Sequence, residues 1–278
     1  MKFTKMHGLG NDYIYIDTSK EHIKDASALA KRMSDRHFGV GADGLVLIEP
    51  DESADFRMTM YNADGSQGRM CGNAARCVGK YVYECGMTDK TVIALQTLSG
   101  VKTLYLDICD GKVKSVCVDM GEPETSCRKV PCFLGDGVVL KAPVTVLGRT
   151  FDVTPISMGN PHAVIILDEP VEEFDLLKYG PEIENHPAFP EKVNVEFVNV
   201  LSPNRLRMRV WERGSGVTLA CGTGSCAVLA AAHLLGLCGR CADVELDGGT
   251  LQNRWDEESG HILMTGPAEF VFDGEFGR

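Results

Sequence analysis

A Cys-Gly pair followed by a helix-forming run occurs twice in this chain, 150 residues apart, at Cys71-Gly72 and Cys221-Gly222. Repetition of this kind constrains a fold more than any single motif, because each copy must be one supersecondary unit. Other landmarks recur at the same or a nearby offset. Tyr61 matches Trp211, and the Gly10-Asn11 turn matches Gly159-Asn160. VGADGLV, from Val40, is echoed by VNVEFV, from Val193. Each copy therefore runs Gly-Asn turn, strand, aromatic, Cys-Gly, helix. The order predicts a duplicated domain with its boundary near Gly121-Glu122-Pro123. The first half is residues 1–121, completed by a returning strand in 267–278, and the second is residues 122–266.

Short alternating runs such as DYIYID, GLVLIE, VIALQT, HAVIILD, VEFVNV and LRMRVWE read as strands separated by turn residues. Helices are few. Ser27 to Arg36 is one, and Val171 to Tyr179 is a second candidate. After Cys71, apolar residues at 74, 77, 78, 81, 82 and 85 give one helix face, and Gly86 is a natural stop. After Cys221 the run from Cys226 to Leu235 is apolar nearly all round, which predicts a fully buried helix stopping at Gly236. Few helices among many strands predict an α+β architecture, with a helix enclosed by a curved sheet.

The net charge of −11 disfavours nucleic acid and anionic membranes as partners. No apolar run reaches the roughly 18 residues of a membrane span. The opening MKFTKMHGLGNDY lacks the apolar core of a signal peptide. The expectation is a cytoplasmic chain whose eleven cysteines stay reduced. Cys109 and Cys117 fall in a hairpin about Asp110-Gly111, where they read as small hydrophobes. Cys77 and Cys226 read as core. Cys238-Gly239-Arg240-Cys241 is half a zinc site, a redox pair, or a loop with two incidental thiols; the last is favoured because no second ligand pair of matching spacing is present.

A loop that ends in Cys-Gly and opens a helix places a thiol beside the helix's first N–H groups. That favours thiolate and makes an anion site. Two such corners, at equivalent places in a repeat, suit one reaction in particular. Inverting a carbon that bears an acidic hydrogen needs one group to remove the proton and a second to deliver one to the opposite face. Thiolate and thiol can exchange these roles.

With the motifs HGLGNDY, GVGADG, MYNADGS, RMCGNAARC, SMGNPHAV, VNVEFV, WERGSG and LACGTGSCA in order from His7 to Ala227, the chain resembles the diaminopimelate epimerase family. The resemblance implies two similar domains, each a barrel-like, mostly antiparallel sheet around a central helix. It implies a two-base isomerase, independent of pyridoxal phosphate, with no cofactor and no metal. It implies conversion of LL- to meso-diaminopimelate in lysine and cell-wall precursor biosynthesis, and a homodimer. Cys71 and Cys221 match the catalytic pair. His162 and Glu212 match groups that adjust the thiols. Asn11, Asn62, Gly72, Asn73, Asn160, Asn194, Glu212, Arg213, Gly222 and Thr223 match substrate-binding positions. Arg213, taken as buried, would need a carboxylate partner. One departure is Gly44, which stands where many members carry a substrate-contacting Gln; Asp43-Gly44 reads as a turn, so any contact there is through backbone. Two other readings stand beside this one: a proline or hydroxyproline racemase-type enzyme, and a thiol redox or zinc-binding protein.

Overall fold

The computed structural model describes residues 1–277. Contacts divide the chain into two compact units: Met1–Asp119 with the segment from Thr265 on, and Met120–Met264.

Unit 1 begins with β1 (Lys2–Gly8), β2 (Asn11–Asp17), α1 (Ala26–Ser34), β3 (Gly44–Glu49), β4 (Phe56–Asn62) and β5 (Gln67–Gly68). It continues with α2 (Gly72–Glu84), β6 (Val92–Thr97), β7 (Gly100–Cys109) and β8 (Lys112–Asp119). Unit 2 holds β9 (Ala142–Val146), β10 (Arg149–Ser157), β11 (Pro161–Ile166), α3 (Leu176–Glu184), β12 (Asn194–Ser202), β13 (Arg205–Glu212) and β14 (Gly216–Thr218). It ends with α4 (Gly222–Leu234), β15 (Cys241–Leu246), β16 (Gly249–Trp255) and β17 (Ile262–Gly266), which leads the chain back to unit 1 and β18 (Glu269–Glu275).

Both units pair their strands alike. In unit 1, β1 and β2 are antiparallel, β2 and β3 parallel, β3 and β4 antiparallel, β4 and β6 parallel, and β6 and β7 antiparallel. In unit 2 the same sequence of pairings runs β10, β11, β12, β13, β15, β16. β18 lies antiparallel on β1 as β9 does on β10, so one structural position is filled from opposite ends of the repeat. The architecture is sheet-dominated α+β.

Each Cys-Gly helix is enclosed by its own unit. α2 packs on β1, β7 and β8, and α4 on β10, β11, β12, β15 and β16. α4 is apolar enough for this. α2 is not, and here the structure departs from the sequence reading of a helix with one apolar face: every residue from Gly72 to Val82 is buried. Its polar side chains find partners inside. Arg76 Nε donates to the Pro267 carbonyl at 3.0 Å and its NH2 group to Asn73 Oδ1 at 2.9 Å. Lys80 Nζ donates to the Val113 carbonyl at 2.9 Å. A buried charge is tolerated on these terms. Both helices end in the same cap. Gly86 and Gly236 take φ of 71° and 70°, and the amides one residue on, Met87 and Leu237, reach back to the Val82 and Ala232 carbonyls.

Three further readings are corrected. The helix expected over Val171–Tyr179 starts at Leu176, because Asp175 caps it by accepting from Lys178 N–H at 3.1 Å, and it runs on through Pro181. Cys109 closes its hairpin in solvent and Cys117 is only half-buried, so Cys109 is not a core residue. Cys127 and Cys132 are joined as a disulfide, so not every thiol is free. The turn that bonds Val130 N–H to the Ser126 carbonyl brings their Cα atoms to 5.4 Å, inside disulfide range.

The core of unit 2 is aromatic. Phe197, fully buried on β12, lies 4.4 Å from the Phe174 ring and 6.3 Å from Phe151. Phe197→Ala is expected to destabilise by about 3–5 kcal/mol, measured as a lowered urea midpoint.

Candidate active site

In unit 1 the corner is built on Asn11. The β1–β2 hairpin sets Asn11 opposite Gly8, and Asn11 Oδ1 receives the Cys71 thiol at 3.4 Å and Asn73 Nδ2 at 3.3 Å. Cys71 is extended (φ −136°, ψ 119°) and half-buried at the N-cap of α2. The other end of the amide is fixed from the residue just before β3: Asn11 Nδ2 donates to Asp43 Oδ2 at 2.7 Å. Asp43 in turn accepts from the Asp12 N–H, and Arg36 bridges Asp12 and Asp43 at 2.8 and 2.9 Å. Burial, then the charge of Asp12, pushes the Asp43 carboxyl up. Burial acts on Asp12 in the same sense, but bonds from Arg36 and Lys5 outweigh it and hold Asp12 down.

Gly44 is not a turn residue. It opens β3 facing Asn62 across the pair, where a Cβ would stand 2.1 Å from the Tyr61 carbonyl. No side chain fits there. Asn62 ends β4, exposed, with Nδ2 on Ser66 Oγ at 2.9 Å.

The unit 2 corner is deeper. Cys221 is extended (φ −114°, ψ 109°) at the N-cap of α4 and 5% exposed; its sulfur replaces the usual capping oxygen, accepting from Gly224 N–H at 3.3 Å. Thr223 Oγ1 stands 3.6 Å from the same sulfur. Asn160 Nδ2 donates to Thr223 Oγ1 at 3.3 Å, and Asn160 Oδ1 lies 3.1 Å from His162 Nε2. His162 Nδ1 lies 2.7 Å from Glu196 Oε1, both side chains fully buried. The expected residues Cys221, Thr223, Asn160 and His162 thus form one line of contacts.

Glu212 accepts from the Thr218 hydroxyl. Asn194 opens β12, donating to the Pro161 carbonyl at 2.9 Å and accepting from Arg213 N–H at 3.0 Å. The Arg213 side chain is exposed, not buried, and its guanidinium donates to the Glu191 carbonyl at 2.9 Å. Solvent, rather than a paired carboxylate, carries much of its charge.

Cys221 does not show the electrostatics expected of it. A helix start favours thiolate, yet Cys221 is raised well above the ordinary thiol value. Burial is the largest cause, followed by the charges of Glu212 and Glu196; Thr223 and the Gly224 amide act the other way and lose. Among the bystanders, burial pushes Cys77 and Cys238 up to about 11. Cys238 and Cys241 are both free, the former buried and the latter exposed at the start of β15.

Sequence reasoning missed Asp43, Arg36, Glu196 and Glu184. Glu184, at the end of α3, accepts from Trp211 Nε1 at 2.7 Å and Gly214 N–H at 3.0 Å, so it holds the hairpin that carries Glu212 and Arg213. The repeat itself held one signal: Glu196 falls where the other copy has Val46.

The duplicated α+β fold recurs in solved structures that share little sequence with this chain. Over 99% of this chain it superposes on a hydroxyproline epimerase from Agrobacterium vitis (TM-score 0.71, 19% identity, 91% of that chain). Over 100% of this chain it superposes on a phenazine biosynthesis protein of the PhzF family from Bacillus anthracis (TM-score 0.69, 15% identity, 99% of that chain). These likenesses speak for fold alone. Sequence is more specific. The pattern of the family described as diaminopimelate epimerase matches residues 3–126 and 154–271. Proteins named diaminopimelate epimerase from Acetivibrio thermocellus and Methanococcus maripaludis strain C5 are 54% and 53% identical over 275 residues, covering 99% of this chain and 98% and 99% of theirs. The chain belongs to the diaminopimelate epimerase family.

A raised thiol ionises only at high pH. In an alkylation series with iodoacetamide, peptide mapping is expected to find Cys71 modified faster than Cys221 at pH 7.5. The Cys221 rate should still be climbing above pH 9; a Cys221 rate already level at pH 8 would contradict the burial argument.

Proposed function

We propose that the chain epimerises diaminopimelate between its LL and meso forms by two-base chemistry, with Cys71 and Cys221 as the acid–base pair. The observation that carries this reading is that each unit supplies one thiol at the start of an enclosed helix, linked to an asparagine from the equivalent turn, directly to Asn11 in unit 1 and through Thr223 to Asn160 in unit 2. Inversion needs one acid–base group for each face of the carbon. The first N–H groups of α2 and α4, from Gly72-Asn73 and Gly222-Thr223, have no acceptor within their helices and suit the α-carboxylate, onto which charge spreads as the α-proton leaves. Asn11 and Asn160 orient that head of the substrate. Asn62, Asn194, Glu212 and Arg213 read the other.

Cys221, pushed up by burial and by Glu212 and Glu196, rests as the thiol. It is the proton donor for whichever isomer binds that form. The sulfur left after transfer is the base for the reverse direction. His162 acts on Cys221 through Asn160 and Thr223. Thiol and thiolate suffice for these transfers, so pyridoxal phosphate and metal have no step to perform. The wider setting that fits is lysine and cell-wall precursor synthesis in the cytoplasm, by a homodimer whose subunits each carry two such halves. Among the described residues no helix is long and apolar enough to cross a membrane.

The racemase-type alternative is disfavoured by the second set of polar residues around Glu212-Arg213, which a substrate with one amino-acid head does not require. A redox or zinc role for Cys238 and Cys241 leaves both Cys-Gly corners unexplained.

The decisive assay is incubation with LL-diaminopimelate in deuterated water, following isomer formation and α-deuteration. Cys71→Ala and Cys221→Ala are each expected to remove epimerisation, by at least about 10³-fold, with circular dichroism unchanged. Cys238→Ala and Cys241→Ala should keep it. Near-native turnover by either of the first two variants would exclude the two-thiol mechanism.

Arg213→Met is expected to lower kcat/KM for diaminopimelate by about 10–100-fold, the value of a hydrogen bond to a charged group. The alkylation rates of Cys71 and Cys221 should not change. Retained activity, or a wild-type preference for proline, would overturn the substrate assignment.

A further inference from the structure

We infer that Glu196 is a positioning residue of the unit 2 corner: its buried carboxylate fixes the Nδ1–H tautomer of His162 and, through Asn160 and Thr223, sets the hydrogen-bond polarity at the Cys221 sulfur. This role rests on Cys221 being one of the two acid–base thiols.

The geometry is a continuous line. Glu196 Oε1 to His162 Nδ1 is 2.7 Å, His162 Nε2 to Asn160 Oδ1 is 3.1 Å, Asn160 Nδ2 to Thr223 Oγ1 is 3.3 Å and Thr223 Oγ1 to Cys221 Sγ is 3.6 Å. A carboxylate only accepts, so Nδ1 carries a proton. Asn160 can accept at Oδ1 only from a protonated Nε2, so that orientation belongs to a ring with both nitrogens protonated; Asn160 then donates from Nδ2 and leaves Thr223 its own proton for the sulfur. The neutral Nδ1–H ring makes Nε2 an acceptor and turns the amide, so that Nδ2 faces Nε2, Thr223 donates to Oδ1 and Cys221 donates to Thr223. The line therefore has two consistent polarities, one suited to a thiolate at Cys221 and one, the Nδ1–H form, to a thiol.

Glu196 is not there to complete the fold. Register makes the repeat its own control: His162 and Glu196 fall where unit 1 has Tyr13 and Val46. The same strand positions are stable without a carboxylate. Glu196 is also incompletely satisfied, since Oε2 is buried with no hydrogen-bond partner among the described residues. An orphaned carboxylate oxygen is costly, and a fold free to use Val has no structural reason to keep one.

Its approach to the thiol is close. A Cβ at Gly224 would stand 2.8 Å from Glu196 Oε1 and 3.2 Å from Cys221 Sγ, so both atoms press on one point of the first turn of α4. Unit 1 has Ala74 there. The groups facing the sulfur are Glu196 from β12, Glu212 from β13, and Thr223 with the Gly224 amide from α4, with His162 of β11 one step behind. The charge of Glu196 is among the causes that hold Cys221 as a thiol.

The test is Glu196→Gln, which keeps the shape and an acceptor for Nδ1–H but removes the charge. Alkylation of Cys221 by iodoacetamide at pH 7.5, followed on its own peptide, is expected to rise about ten-fold, the change that losing one charge within several ångströms brings to an ionisation. Alkylation of Cys71, in the other unit, should not change. The pH dependence of kcat should move to lower pH with KM for diaminopimelate within about two-fold of wild type. Glu196→Val, which copies unit 1, carries the same expectation for Cys221 should the amide disturb folding. An unchanged or slower Cys221 rate in a folded variant, with only the melting temperature altered, would overturn the proposal and leave Glu196 a packing residue. Thiol labelling does not depend on turnover. A wild type inactive on diaminopimelate with an accelerated Cys221 in the variant would sink the epimerase reading while the electrostatic link survived.

Discussion

A helix wrapped by strands on every side has only its ends left for polar chemistry. α2 and α4 are such helices, and their buried flanks account for much of what surrounds them. Enclosure forces Arg76, Lys80 and Asn73 to find acceptors within the unit, which they do on Pro267, Val113, Asn73 and Asn11. It also gathers the helix's open N–H groups at one corner, where a small residue must enter. Cys at the N-cap followed by Gly meets that need. A thiol at such a corner stands in little water, next to fixed dipoles, on a rigid element. Those are the conditions under which a weakly acidic group can be set toward one protonation state.

The two corners are built on one plan and finished differently. In each, an asparagine from the equivalent turn reaches the thiol, Asn11 directly and Asn160 through Thr223, and a carboxylate at or just before the neighbouring parallel strand fixes that asparagine. Asp43 does so directly, at 2.7 Å, from the residue before β3. Glu196 does so through His162, from within β12. The unit 1 carboxylate is tied to Arg36 at the surface and the unit 2 carboxylate is sealed in the core. The proposed two-base reaction would start from one thiol and one thiolate, which two identical corners would not favour.

The Cys-Gly corners, the strand-rich architecture and the enclosed α4 were legible in the sequence, because each rests on a pattern stated twice or on an uninterrupted apolar run. The enclosure of α2 was implied by the family resemblance but not legible in the residues of the helix itself. Asn73, Arg76 and Lys80 look like a solvent face, and only tertiary acceptors reverse that reading. α3 was displaced because the Asp175 cap lies inside the segment read as a helix, so the helix starts after it and runs on through Pro181. Cys109 alternates with apolar residues but sits where the hairpin leaves the core. Glu196 was hidden by its type: a glutamate in a strand reads as outward-facing, yet Asn194 to Val198 are all buried, so the strand has no outward face there. Comparing the copies position by position shows Glu196 against Val46, a difference that residue type alone does not reveal.

Magnitudes decide the state of Cys221. The start of a helix is worth about 0.3–1 kcal/mol to an anion, and about 2 kcal/mol in favourable partly buried settings. A carboxylate 4 Å away, at an effective dielectric of about 20, opposes it by about 4 kcal/mol, and by less in proportion at greater distance. Two carboxylates, Glu212 and Glu196, act on the sulfur, and burial adds to both. The helix cannot win that contest, so the sequence argument that its start favours thiolate fails at this corner even though the helix begins where it was expected. What the helix start can do is act on a second anion. In the proposed reaction a substrate carboxylate at the Gly222-Thr223 amides would meet the helix dipole without being itself a buried side chain, and would bring one more negative charge beside the sulfur. On that proposal, binding would reinforce the thiol form of Cys221, and substrate recognition and the choice of proton donor would be the same electrostatic event.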